Sequence, residues 1–124
     1  MNTQNENAPL SHLTHAVIHY EDDNRTFIGT THSGSRQECD RYVSEAFDAG
    51  CTQRIEVVRH IEADARKVAM EIDEGAYTLD WYLNGLGRRN AIVPFERDCA
   101  IYGYDAEEYK SLINSFLGGK YNIR

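Results

Sequence analysis

Two short stretches carry the residue types that anion chemistry draws on. Ser33-Gly34-Ser35-Arg36 is a Ser/Gly-rich turn that runs into an amphipathic segment, and Gly85-Leu86-Gly87-Arg88-Arg89 sets two arginines behind a pair of glycines. Free backbone N–H groups at a helix start, with Arg36 above them, would cradle a phosphate; Arg88 and Arg89 would clamp a carboxylate or phosphate as a fork. At the first stretch Glu38 follows Ser35 by three residues, the S-x-x-E of a capping box, so a carboxylate already stands where the anion would sit. Neither G-x-G-x-x-G nor G-x-x-x-x-G-K-[ST] occurs in the chain. The turn therefore reads first as a helix start and the Arg88-Arg89 pair first as a surface pair, with Arg36, Arg88 and Arg89 kept as the candidate anion-binding residues.

The histidines and cysteines invite metal and nucleophile readings. His12, His15 and His19 are spaced three and four apart, which on a helix would gather them on one face. Their surroundings, HAVIHY, are strand-like, and four residues of strand span about 13 Å, too far for a shared ion. Cys39 falls on an apolar stripe and reads as a buried, inert thiol. Cys51 with His60 and a carboxylate is a conceivable catalytic set, but such sets are defined by geometry. Asp73-Glu74 as an acid–base pair carries little weight in a chain this acidic. No catalytic residue, metal or cofactor is assigned, and an enzyme is the less favoured class.

The elements that must position any site follow from periodicity. HAVIHY and TFIGTT flank Glu21-Asp22-Asp23-Asn24-Arg25 and predict a β-hairpin. Cys39, Tyr42, Val43, Ala46 and Phe47 recur at helical spacing over 36–49, with Gly50 as the stop. RIEVVRHI, 54–61, predicts a strand. Over 64–74, Ala65, Val68, Ala69 and Ile72 favour a helix, while Val68, Met70 and Ile72 leave an alternating strand open. AYTLDWYL, 76–83, reads as an aromatic-rich strand, and NAIVPF, 90–95, as a short edge strand with Pro94 at its border. Asp105 with Glu108 caps a last helix whose stripe is Tyr109, Leu112, Ile113, Phe116 and Leu117. The sum is one small α+β domain over 11–124, after a flexible polar tail at 1–10. A mixed or antiparallel sheet of about five short strands packs on two or three helices, in the order β-β-α-β-α-β-β-α.

Bulk composition sets the class of partner. The 124 residues are 41% hydrophobic, enough for one self-standing core. The start has neither the basic patch and apolar run of a signal peptide nor a membrane anchor, and three cysteines without a CxxC suit reduced thiols, so cytoplasm is the expected compartment. A net charge of −7 repels phosphate backbones and disfavours direct nucleic-acid binding. Eight tyrosines and a tryptophan exceed what a small core needs, and these residue types anchor interfaces. Asp73, Glu74, Tyr77, Asp80, Trp81, Tyr82, Tyr102 and Tyr104, in the acidic C-terminal half, are the candidate partner-binding residues. The expectation is a non-catalytic acidic binding or inhibitor protein that occludes a basic protein or nucleoprotein complex, as immunity proteins and phage or plasmid counter-defence inhibitors do. The alternative is a small-ligand protein or small enzyme built on the Ser33–Arg36 turn or the Gly85–Arg89 loop.

Overall fold

The structure, a computed structural model, describes residues 7–85 and 92–123. The chain runs β1 (His15–Tyr20), β2 (Phe27–Gly34), α1 (Arg36–Asp48), β3 (Ile55–Arg59), α2 (His60–Asp73), α3 (Leu79–Asn84), α4 (Pro94–Tyr102) and α5 (Ala106–Phe116). It is an α+β fold whose described residues form a three-stranded antiparallel sheet, in the order β2-β1-β3, and five helices.

The hairpin forms where the sequence predicts it. Asp23 Oδ1 accepts from the Arg25 and Thr26 N–H groups at 2.8 and 2.9 Å, and Asn24 takes the left-handed conformation, φ 59°, that Asn tolerates. β3 then pairs with the other side of β1 from His15↔Arg59 to His19↔Ile55. β1 is therefore the central strand. Its Ala16, Val17 and Ile18 are all buried, because α1 lies on one face of the sheet and α2 on the other.

Helix α1 starts on the capping box read from sequence: Glu38 N–H donates to Ser35 Oγ at 3.1 Å, and Ser35 N–H to Glu38 Oε1 at 2.9 Å. The segment over 64–74 is helical, and α2 begins earlier than expected, at His60, so the predicted strand 54–61 ends at Arg59. The Asp105 cap and α5 are as predicted, with Tyr109 and Ile113 buried.

The predicted strand 76–83 gives way to a helix and the described end of the predicted strand 90–95 runs into another, so among the described residues there are three strands where about five were expected and five helices where two or three were. Thr78 caps α3, its Oγ1 accepting from Trp81 N–H at 3.1 Å. Tyr77, Leu79, Trp81 and Leu83 alternate, yet Leu79, Tyr82 and Leu83 also stand at i, i+3 and i+4, and it is Tyr82, off the alternating set, that is buried. In 90–95, Pro94 opens α4 at its first turn, where its missing N–H costs nothing. Asn90 and Ala91, like Leu86–Arg89, lie outside the described residues.

The hydrophobic interior divides along α2. Ala63 and Ala69 meet Ala16, Ile18, Tyr20 and Phe27 of the sheet, and Tyr121 closes that cluster. Ile61, Ala65 and Val68 meet Tyr82, Tyr104, Tyr109 and Ile113 of the C-terminal helices. Arg66 ties the two together: its Nη1 donates to the Tyr20 hydroxyl at 2.9 Å while its guanidinium lies over the Phe116 ring. Before β1, Ala8 is buried and Leu10 N–H donates to the Ile101 carbonyl at 2.9 Å, fastening the end of the expected N-terminal tail to α4.

Candidate functional site

A cleft of about 550 Å³ opens between α2, α3 and α4, with α5 behind it. Helical spacing builds its walls. Asp64, Lys67, Val68 and Glu71 occupy one face of α2 at i, i+3, i+4 and i+7, and Pro94, Arg97, Asp98, Ile101 and Tyr102 occupy one face of α4 in the same way. The lead-in to α3 adds Tyr77, and α3 itself adds Trp81 and Tyr82. The Tyr77 ring tilts against Trp81 at 5.1 Å and stacks at 5.8 Å on the buried Tyr82, so Tyr77 and Trp81 form an aromatic wall backed by a third ring.

Behind the walls lie two hydrogen-bond chains, each ending on a carboxylate. In one, Tyr104 Oη donates to Asp64 Oδ2 at 2.5 Å and shares a hydrogen bond with His60 Nδ1. With Asp64 ionised, the Tyr104 proton is committed to it, so His60 donates from Nδ1. In the other, Tyr82 Oη donates to Asp98 Oδ2 at 2.5 Å and accepts from Tyr109 Oη at 2.8 Å. At the rim Tyr77 Oη donates to Glu71 Oε1 at 2.6 Å. Buried hydroxyls thereby find acceptors, and the carboxylates are held in fixed orientations.

Burial sets the protonation states. It pushes the Asp64 carboxyl above the ordinary carboxylate range, with His60 and the Tyr104 hydroxyl pulling the other way. It holds His60 below the usual histidine value, opposed by Asp64. Burial also raises Tyr82, Tyr104 and Tyr109, so each stays a protonated donor at neutral pH. The Cys99 thiol is pushed up to about 11 by burial and then by Asp98, far from the thiolate a nucleophile needs.

Of the residues singled out in sequence, Tyr77, Trp81, Tyr82 and Tyr102 line this cleft, and Tyr104 is buried beneath it holding Asp64. Asp73, Glu74 and Asp80 lie outside it and are exposed; Asp73 accepts from Gly118 N–H and Asp80 from Asn84 Nδ2. Arg36 is on the far side of the sheet, 3.7 Å from Asp40, and Arg88 and Arg89 fall outside the described residues. Cys51 and His60 stand at opposite ends of β3, about 16 Å of strand apart, and Cys51 Sγ donates to the Gln53 carbonyl. The three cysteines are unbridged, and no group of three or more His, Cys, Asp or Glu among the described residues is placed to hold a metal ion.

Sequence reasoning missed His60, Asp64, Lys67, Glu71, Arg97, Asp98 and Tyr109 as parts of the site. The four-and-three spacing of Asp64, Val68 and Glu71 on a helix was the available signal; the corresponding face of α4 was hidden by reading 90–95 as a strand. No known protein family, curated protein or solved structure matches the chain, and what the cleft can bind is set by its own residues. No helix among the described residues is long and apolar enough to cross a membrane.

Proposed function

We propose that this chain is a non-catalytic, acidic binding protein of the cytoplasm that occludes a basic protein or nucleoprotein partner, in the manner of an immunity protein or a counter-defence inhibitor, and that the α2–α4 cleft receives the partner's positive charge. The observation that carries this reading is the cleft itself. It joins an aromatic wall to three carboxylates, Asp64, Glu71 and Asp98, on a molecule of net charge −7. Aromatic side chains with a polar edge supply binding energy at an interface, and the surrounding field speeds encounter with a cationic partner. The exposed acids Asp73, Glu74 and Asp80 border this half of the molecule and contribute to that field.

A volume of about 550 Å³ also lies within the range of small-molecule pockets, which favours a second reading as a small-ligand protein using this cleft. The Ser33–Arg36 turn contributes less to such a reading, since Glu38 and Asp40 already engage its Ser35 N–H and Arg36.

The test compares the protein with its Asp64→Asn/Asp98→Asn variant, each immobilised and exposed to lysate of the native host and of the cells it competes with or infects. A basic protein retained by the first and lost by the second, released steeply by salt and blocked from its own activity by equimolar protein, is the expected result. Equal retention on both, or loss of retention with no effect on the partner's activity, overturns it.

A further inference from the structure

Resting on that reading, we infer that the cleft is an arginine site: one guanidinium of the partner lies against the Tyr77–Trp81 wall and bonds to Asp98 and Asp64, displacing Arg97 from Asp98.

Charge balance comes first. Within the cleft three carboxylates face two cations, Lys67 and Arg97, so one negative charge is unmatched and one monovalent cation neutralises it. Geometry then narrows the cation. Asp98 gives Oδ2 to the Tyr82 hydroxyl and turns Oδ1 toward Arg97 Nε at 3.5 Å, too long for a good hydrogen bond. Arg97 is itself half-exposed, at 55% of its side chain, while Asp98 is at 21%. The site thus already holds a guanidinium–carboxylate pair, loosely made, at the entrance to a more buried acceptor. A second guanidinium arriving over the aromatic wall would meet Asp98 with better geometry and reach Asp64, whose hydrogen bond to Tyr104 engages Oδ2.

The aromatic wall separates arginine from lysine. A guanidinium is planar, weakly hydrated and stacks on aromatic faces while its edge forks onto carboxylates; an ammonium is a strongly hydrated point charge that gives up more on entering such a cleft. The two tyrosine chains complete the device. Tyr109 through Tyr82, and His60 through Tyr104, orient Asp98 and Asp64 before any ligand arrives, so little ordering remains to be done on binding.

The experiment titrates the full chain with three blocked tripeptides, Gly-Arg-Gly, Gly-Lys-Gly and Gly-citrulline-Gly, by calorimetry, and repeats the arginine titration on Asp98→Asn and Arg97→Ala. Citrulline keeps the shape of arginine and removes its charge. The expected result is arginine binding several-fold tighter than lysine, no citrulline binding, a loss of tenfold or more in Asp98→Asn, and tighter binding in Arg97→Ala, where the competing guanidinium is gone. The amide introduced by Asp98→Asn retains an acceptor for Tyr82; should that variant still not fold, the sign of the Arg97→Ala effect decides alone. Weaker binding in Arg97→Ala, or equal binding of arginine and citrulline, overturns the assignment. A basic partner captured through the cleft with no arginine-peptide binding also overturns it while leaving the occlusion reading in place; arginine-peptide binding with no occluded partner supports the site and removes that reading.

Discussion

On the sheet side of α2, Ala63 and Ala69 let the helix approach Ala16 and Ile18 closely, and Tyr20, Phe27 and Tyr121 fill what remains; on the other side Ile61, Ala65 and Val68 face a layer made largely of tyrosine. The first interior is closed by shape. Tyr20 and Phe27 meet edge to face at 6.3 Å, and Phe27 and Tyr121 do the same at 6.4 Å. The second is closed only partly. Its tyrosines spend their hydroxyls on Asp64, Asp98 and one another, and between them a cleft stays open. This second interior carries two carboxylates whose desolvation is offset by hydrogen bonds, a cost that the first does not bear. One helix thus serves both: its alanine face packs on the sheet, and its Asp64–Glu71 face lines the cleft.

That contrast can be broken most severely from the scaffold side. Phe27 is 1% exposed at the centre of the sheet cluster, and Phe27→Ala is expected to cost about 3–5 kcal/mol in denaturant unfolding. A loss below about 1 kcal/mol would mean that the sheet side is not the rigid half.

The second interior is sharpened by pH. His60 is 6% exposed and held neutral by burial, facing Asp64, Tyr104 and the Tyr102 ring. Its folded pKa is depressed, so the unfolded chain takes up the proton first. Stability is present above the ordinary histidine value of about 6.5 and is lost as pH falls from there toward the depressed value, at a slope approaching about 1.4 kcal/mol per pH unit. Asp64 works in the opposite sense: its raised pKa means the folded state gains stability as acid protonates it. Comparison with His60→Gln, which keeps a donor for Tyr104, isolates the histidine. The unmutated protein should lose thermal stability relative to the variant as pH falls from about 7 to about 5, and parallel curves would show that His60 is not buried neutral.

The smallest expected effect lies farthest from the cleft. Ser35→Ala removes the cap of α1 and is expected to cost about 1 kcal/mol, with no change in binding of cationic peptides. Stabilisation of the unmutated protein by phosphate, lost in Arg36→Ala, would instead return function to that turn.

The scaffold half was largely legible in the sequence because its signals are local and redundant. Asp23-Asn24 specifies its turn and Ser35 with Glu38 specifies a helix start, and in the other half only α5, capped by Asp105 with Glu108, is announced as plainly. The rest of the site half was not legible. Thr78 and Pro94 are helix-start residues, but the alternation of Tyr77, Leu79, Trp81 and Leu83 and the β-branched Ile92-Val93 outweighed them, since short apolar runs fit either period. Tyr77, Trp81, Tyr82, Tyr102 and Tyr104 were recognised from residue type alone, whereas Tyr109 was read only as part of a helix stripe. Asp64 and Asp98 were not recognised, because their meaning depends on Tyr104 lying 40 residues from one and Tyr82 16 residues from the other. The acids favoured instead, Asp73, Glu74 and Asp80, are the ones a charge count finds and a cleft does not use.

The most direct test of the central claim, that positive charge is received in the α2–α4 cleft, is to follow backbone amide resonances while titrating an arginine-rich peptide at low and then physiological salt. The account predicts saturable shifts concentrated on Asp64–Glu71, Tyr77–Tyr82 and Arg97–Tyr102, and reduced in Asp64→Asn/Asp98→Asn. Shifts centred on Asp73, Glu74 and Asp80, unchanged in that variant and abolished by salt, would show a diffuse acidic surface in place of a site and would contradict it.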